Sequence, residues 1–212
     1  MTGELTAVDA AEYADRLRRV RDKMRERSLA ALVVSDPANL FYLTGYDAWS
    51  FYTPQCLVIP AETEPHLFAR AQDAAGATFT CNLPAEQIHG YPEELVHRPD
   101  VHPFDWIAGA ARDLVPAGEL VGVEGDAHFF SPRGYFALAN GLAGNRLVDS
   151  AELVNWVRLV KSPSEVGRLR IAGAIAERDA DRVRTIAPWP SAVRPGRRNP
   201  CRTSNRYPRP WR

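Results

Sequence analysis

The chain has 212 residues, 45% hydrophobic and 25% charged, an ordinary globular balance with room for one large domain and an appendage. Its formal charge of zero is unevenly divided: residues 1–188 carry 19 Lys and Arg against 26 Asp and Glu, a net of −7, whereas residues 189–212 carry seven Arg and no acid. An acidic body is a poor binder of polyanions, and the sequence has no apolar run of about 18 residues to span a membrane.

"DAAEYADRLRRVRDKMRERSL", from Asp9, sets Ala10, Tyr13, Leu17, Val20 and Met24 near helical spacing, which predicts an amphipathic helix. "AALVVS" is continuously apolar, the pattern of a strand buried on both faces. "DPANLFYLTG" predicts a helix capped by Ser35 or Asp36, with Pro37 in its first turn and Gly45 at its end. "QCLVIP" and "PHLFAR" flank a Pro-bounded acidic turn and predict an antiparallel pair. A short helix at "AQDAAGATFTC" and a strand at "QIHGY" follow. Next come a helix opened by Pro103, a strand at "LVGVEG", a helix capped by Ser131 and a strand at "RLVD". Helical stretches at "SAELVNWVRLV" and from Ser162 complete the series, the second with Glu165 placed for a capping box. Alternation of helix and strand from about residue 9 to 149 predicts an α/β domain, a mixed sheet flanked by helices.

Chemistry-bearing patterns are sparse. There is no Gly-rich phosphate loop and no G-x-S-x-G elbow. The five His lack metal-ligand spacing, and His97 and His102, near Asp100, read as a surface loop. Cys56 and Cys81 read as buried, inert thiols; with Cys201 they form no C-x-x-C and fit a reduced, cytoplasmic protein. The N-terminus lacks the apolar segment of a signal peptide. Glu93-Glu94 reads as a solvated turn, and Ser131 and Ser162 as helix caps. "GYDAWSFYTPQ" stands apart, with Tyr46, Trp49, Phe51 and Tyr52 in what should be a loop. Such aromatics either fold onto the core, the default expectation, or line a recognition surface; the alternation also suits a strand edge.

Asn39, Tyr42, Leu43, Thr44 and Gly45 within "LAALVVSDPANLFYLTGY" resemble the N-x-x-Y-L-T-G helix of the creatinase / Xaa-Pro aminopeptidase (M24, pita-bread) family. Arg158, Lys161, Ser162 and Glu165 resemble its R-x-V-K-S-x-x-E linker, although Gly167 and Gly173 are poor helix formers there. The "GYDAWSFYTPQ" and "LVNWVR" segments resemble most the ectoine hydrolase branch. The resemblance covers about residues 8–188 and implies a creatinase N-terminal-like domain over 1–150, then linker helices over 151–188 leading to a catalytic domain. It further implies that the chemistry, and the metal ligands of the peptidase branch, belong to that catalytic domain. No cofactor is then expected in this chain, and the chain alone should be inactive. The implied role of the N-terminal domain is dimerisation and shaping of a neighbouring subunit's active-site mouth. Trp49, Phe51, Tyr52 and Arg70 are then the candidates to face substrate, Arg70 for a carboxylate; an edge-strand surface Arg is the alternative for that residue. The expected partner is a second copy or a full-length paralogue.

The Arg/Pro-rich stretch 189–212 suits neither a helix nor a core and is expected to be disordered. Read one nucleotide forward, its possible codons allow G-x-R-Q-C-D-x-A-A-E-I-H-A-A-Q-A-I-G-T-P, the continuation expected of the family. A frameshift near residue 188 is therefore the expectation. A selected basic arm for nucleic acid is the lesser alternative.

Overall fold

A computed structural model describes residues 8–47 and 49–186. The expectations for 189–212 lie outside the described residues. The chain divides into two compact units, one spanning Thr6–Lys161 and one that begins again at Ser162.

In the larger unit α1 (Ala10–Glu26) is capped by Asp9, whose carboxylate accepts from Glu12 N at 2.7 Å. Strand β1 (Ala31–Val34) is buried throughout, as its unbroken apolar run requires. Asp36, rather than Ser35, caps α2 (Pro37–Thr44) by accepting from Ala38 N and Asn39 N. Gly45 ends that helix at φ +75°, a left-handed position that favours glycine. Then follow β2 (Cys56–Pro60), β3 (His66–Arg70), α3 (Ala71–Thr80) and β4 (Ile88–Tyr91). The unit is completed by α4 (Pro103–Ala110), β5 (Leu120–Val123), α5 (Pro132–Gly141), β6 (Arg146–Asp149) and α6 (Leu153–Leu159).

The six strands form one mixed sheet in the order β4-β3-β2-β1-β5-β6. β2 runs antiparallel to β1 and β3, and the other pairs are parallel. Because side chains alternate along a strand, consecutive residues feed two separate cores. Val33, Val58, Phe68, Tyr91 and Val123 join Phe104, Ile107 and Leu138 of α4 and α5 on one face. Leu32, Val34, Leu57, Ile59 and Leu67 join Val20, Met24, Leu40 and Val154 of α1, α2 and α6 on the other. Cys56 lies in the first core with its thiol pushed up by burial; Cys81 is partly buried and its thiol is raised for the same reason.

The smaller unit is described by its helix α7 (Pro163–Ile186). Ser162 Oγ accepts from Glu165 N and Glu165 accepts from Ser162 N, the reciprocal pair expected at its start. The helix runs through Gly167 and Gly173 without interruption. No helix among the described residues is long and apolar enough to cross a membrane.

Candidate functional site

Between α2 and β2, residues 49–52 form a turn rather than a strand edge. Core packing holds for Tyr46 but fails for the other three aromatics: Trp49 is 89% exposed, Tyr52 57% and Phe51 44%. The cause lies in the residues between them. Ser50, Thr53 and Gln55 are the buried ones, and Ser50 Oγ, Thr53 Oγ1 and Gln55 Oε1 are used internally. Thr53 donates to Ser50 O through both its amide and its hydroxyl, and Tyr46 Oη donates to Gln55 Oε1 at 3.1 Å. Tyr91 Oη, on edge strand β4, donates to Pro54 O at 2.8 Å. With the polar side chains turned inward, the aromatic ones face out.

Arg70 ends β3, an interior strand, so it is no edge-strand residue. Its side chain is only 16% exposed. Its Nη2 donates to Ser50 Oγ at 2.7 Å and its Nε to Asp73 at 2.8 Å, which ties the turn to the start of α3. Glu93 approaches the same guanidinium at 3.9 Å and accepts from Gln72 N, giving α3 a cap that its own sequence lacks. Glu93 is thus more than a solvated turn residue. The Asp73 carboxylate, with that of Glu93, raises the Arg70 pKa further, so the guanidinium is a permanent cation. Tyr46, Trp49, Tyr52, Arg70 and Asp73 surround an open cavity of ≈ 530 Å³. Phe51 lies outside it, against Phe129 at 5.0 Å between ring centres. Phe129, from the loop after β5, was not singled out from sequence; the "HFF" run at 128–130 is the same kind of loop aromatic signal.

The two family motifs meet at a second place. Glu124, at the end of β5 and 3% exposed, accepts from Ser35 N and Asp36 N at 2.8 Å and from Asn39 Nδ2 at 2.6 Å. Asn39 Oδ1 in turn accepts from Arg158 of α6 at 2.6 Å, and the Arg158 guanidinium lies 5.7 Å from the Tyr42 ring centre. Lys161 donates to the carbonyl of Arg158, while Glu165 caps α7 in the other unit. Burial pushes Glu124 up to about 7, outweighing the three donors that pull it down. Sequence reading did not single out Glu124. His97 and His102 do lie outside the core; His102 accepts from Phe104 N through Nδ1 and so caps α4.

A mixed six-stranded sheet between two helical layers makes this an α/β domain of the creatinase N-terminal type. The chain belongs to the creatinase/prolidase N-terminal domain family, whose model matches residues 16–160. It is 42% identical over 168 residues to ectoine hydrolase of Halomonas elongata, covering 77% of this chain and 41% of that protein. It is 40% identical to an uncharacterized hydrolase/peptidase, y4tM, of Sinorhizobium fredii, covering 84% and 45%. The chain therefore spans less than half the length of these curated relatives. In fold it resembles dipeptidase PepE of Mycobacterium ulcerans, with TM-score 0.64, 24% identity and coverage of 85% of this chain and 45% of that one. It also resembles the creatinase/prolidase N-terminal domain of a Streptococcus pyogenes X-Pro dipeptidase, with TM-score 0.52, 19% identity and coverage of 67% and 98%.

Proposed function

We propose that this chain is the non-catalytic, mouth-shaping domain of a hydrolase acting on a C–N bond of a small compound, as in its ectoine hydrolase relative. The observation that carries the reading is the turn at 49–52. Two large aromatics, Trp49 and Tyr52, face solvent beside a fixed guanidinium, and the polar residues that hold them out are buried. Apolar rings beside a guanidinium that Asp73 already holds in place suit a small polar substrate. The bond-breaking groups, and any metal they use, belong on this reading to a catalytic domain that the described residues do not include. The partner that brings one is a second copy within a longer protein or a full-length paralogue.

The test is to assay the purified chain against ectoine, creatine and an Xaa-Pro dipeptide, then to mix it with a full-length relative. The expected outcome is no hydrolysis above a blank and a complex at micromolar concentration, read by light scattering after gel filtration. Turnover by the chain alone overturns the non-catalytic reading, and a solely monomeric chain in the mixture overturns the pairing.

A further inference from the structure

β4 is a four-residue edge strand whose neighbour in the sheet is β3, with Phe68 opposite His89 and Arg70 opposite Tyr91. Side chains alternate along a strand, so His66, Phe68 and Arg70 share one face with His89 and Tyr91. At one end of that face lies the candidate site. There Tyr91 Oη donates to Pro54 O, and Glu93, just beyond β4, caps α3 beside Arg70. At the other end His66 Nδ1 stands 2.8 Å from His89 Nε2, with ring centres 5.1 Å apart and planes within 17°. The two nitrogens therefore meet head-on in an N–H···N hydrogen bond, and Phe68, stacked on His89 at 4.8 Å, fixes that ring's plane. Both rings are half-buried, so protons reach them from solvent.

We propose that His66 and His89 form an acid-sensitive pin on β4, which holds the turn at 49–52 firm at neutral pH and frees it when both imidazoles are charged. The pin rests on the mouth-shaping reading for its purpose and adds a control over the same site. The chemistry of the pair sets the direction. Two neutral rings share one facing proton, and each has a further nitrogen turned outward. A first added proton goes to the outer nitrogen of the donor ring and keeps the shared bond, now charge-assisted. A second has only the facing nitrogen of the other ring, so it abolishes the bond and sets two cations head-on. Burial already holds both imidazoles below the usual histidine range; on His66 the charge of His89 adds to this and the Glu64 carboxylate opposes it. Other titratable groups around the pair are Cys56 on β2, Asp73 on α3, His102 and Asp105 at the start of α4, and Glu86 and Glu93 beside β4. Among the described residues none of these shifts either ring. An unfolded chain takes up both protons near about pH 6.5, whereas the folded pair takes the second only below it. The stability of this edge is thus complete above that value and is lost as pH falls through the folded pair's second step. Opening the pin loosens the start of a strand only four residues long, so the Tyr91 hold on Pro54 and the Glu93 cap slacken with it.

The test is NMR of the full chain, with imidazole titrations and amide exchange corrected for the intrinsic rate. His66 and His89 should take up their protons in two steps more than about one pH unit apart. From about pH 7 to about pH 4.5, protection at the Thr53 amide and along Ile88–Tyr91 should fall at least about tenfold relative to Ala31–Val34 of β1, which report the whole fold. His66→Gln and His89→Gln should each leave one ring titrating in a single step and abolish that pH dependence. Independent titration of the two wild-type rings, protection at Thr53 that stays constant against β1, or pH dependence retained in either variant would overturn the proposal. These measurements use neither substrate nor partner, so their failure leaves the mouth-shaping reading standing. Failure to pair with a full-length relative would overturn that reading and leave the pin.

Discussion

Glu124 and Asn39 form a hydrogen-bond chain whose direction is fixed at both ends. Arg158 can only donate, so Asn39 must offer it an oxygen and present its amide to Glu124. Glu124→Gln sets donor against donor, and turning Asn39 over merely moves the conflict to Arg158. We expect a loss of about 1–3 kcal/mol at pH 5, where both oxygens of the protonated Glu124 can still accept and an amide nitrogen cannot, measured by urea denaturation. The pH dependence has a definite sign. The folded-state pKa of Glu124 is raised from 4.5 to about 7, so between those values the folded chain holds a proton that the unfolded chain has lost. Stability therefore falls as pH rises through that window, by about 3 kcal/mol from this group, and levels off above it. The gap between wild type and Glu124→Gln should narrow from pH 5 to pH 8; a constant gap would mean that Glu124 does not titrate there. Arg70→Lys tests the other lock. A lysine cannot hold Ser50 and Asp73 with one fork, so amide exchange at Thr53, whose N–H donates to Ser50 O, should quicken by roughly tenfold or more.

At the scale of elements, helix starts and strand identities were written locally. Asp36-Pro37, Ser131-Pro132 and Ser162-Pro163 each carry their own capping oxygen, and the apolar run of β1 needs no distant partner to read as a buried strand. The loop aromatics and Arg70 were also visible as candidates. The contacts that make them a site were not. Glu124 lies 85 residues from Asn39, and only the parallel pairing of β1 with β5, which brings the start of α2 beside the end of β5, puts them in contact. The burial of Ser50, which turns Trp49 outward, depends on Arg70 at the end of a later strand. Gly45 offers a test at this scale. A Cβ there would meet Tyr13 Oη at 2.6 Å in a left-handed backbone, so Gly45→Ala should cost about 1–3 kcal/mol in thermal or chemical unfolding. Adding Tyr13→Phe should recover part of that loss by removing the crowded oxygen while leaving the backbone strain.

For the molecule as a whole, recognition and stability rest on different side chains. Trp49→Ala should change unfolding free energy by less than about 0.5 kcal/mol, because an 89% exposed ring packs on little. The same substitution should weaken the complex with a full-length relative at least tenfold if the aromatic rim is part of the mouth, measured by gel filtration or calorimetry. Loss of both stability and binding would place Trp49 in the scaffold instead. The separation follows from the turn at 49–52, pinned by Tyr46, Ser50, Thr53 and Gln55. Its outward positions are thereby released from the demands of folding. Mutations at Trp49 and Tyr52 can accumulate without passing through an unfolded ancestor, so one such scaffold can change what it recognises one outward residue at a time.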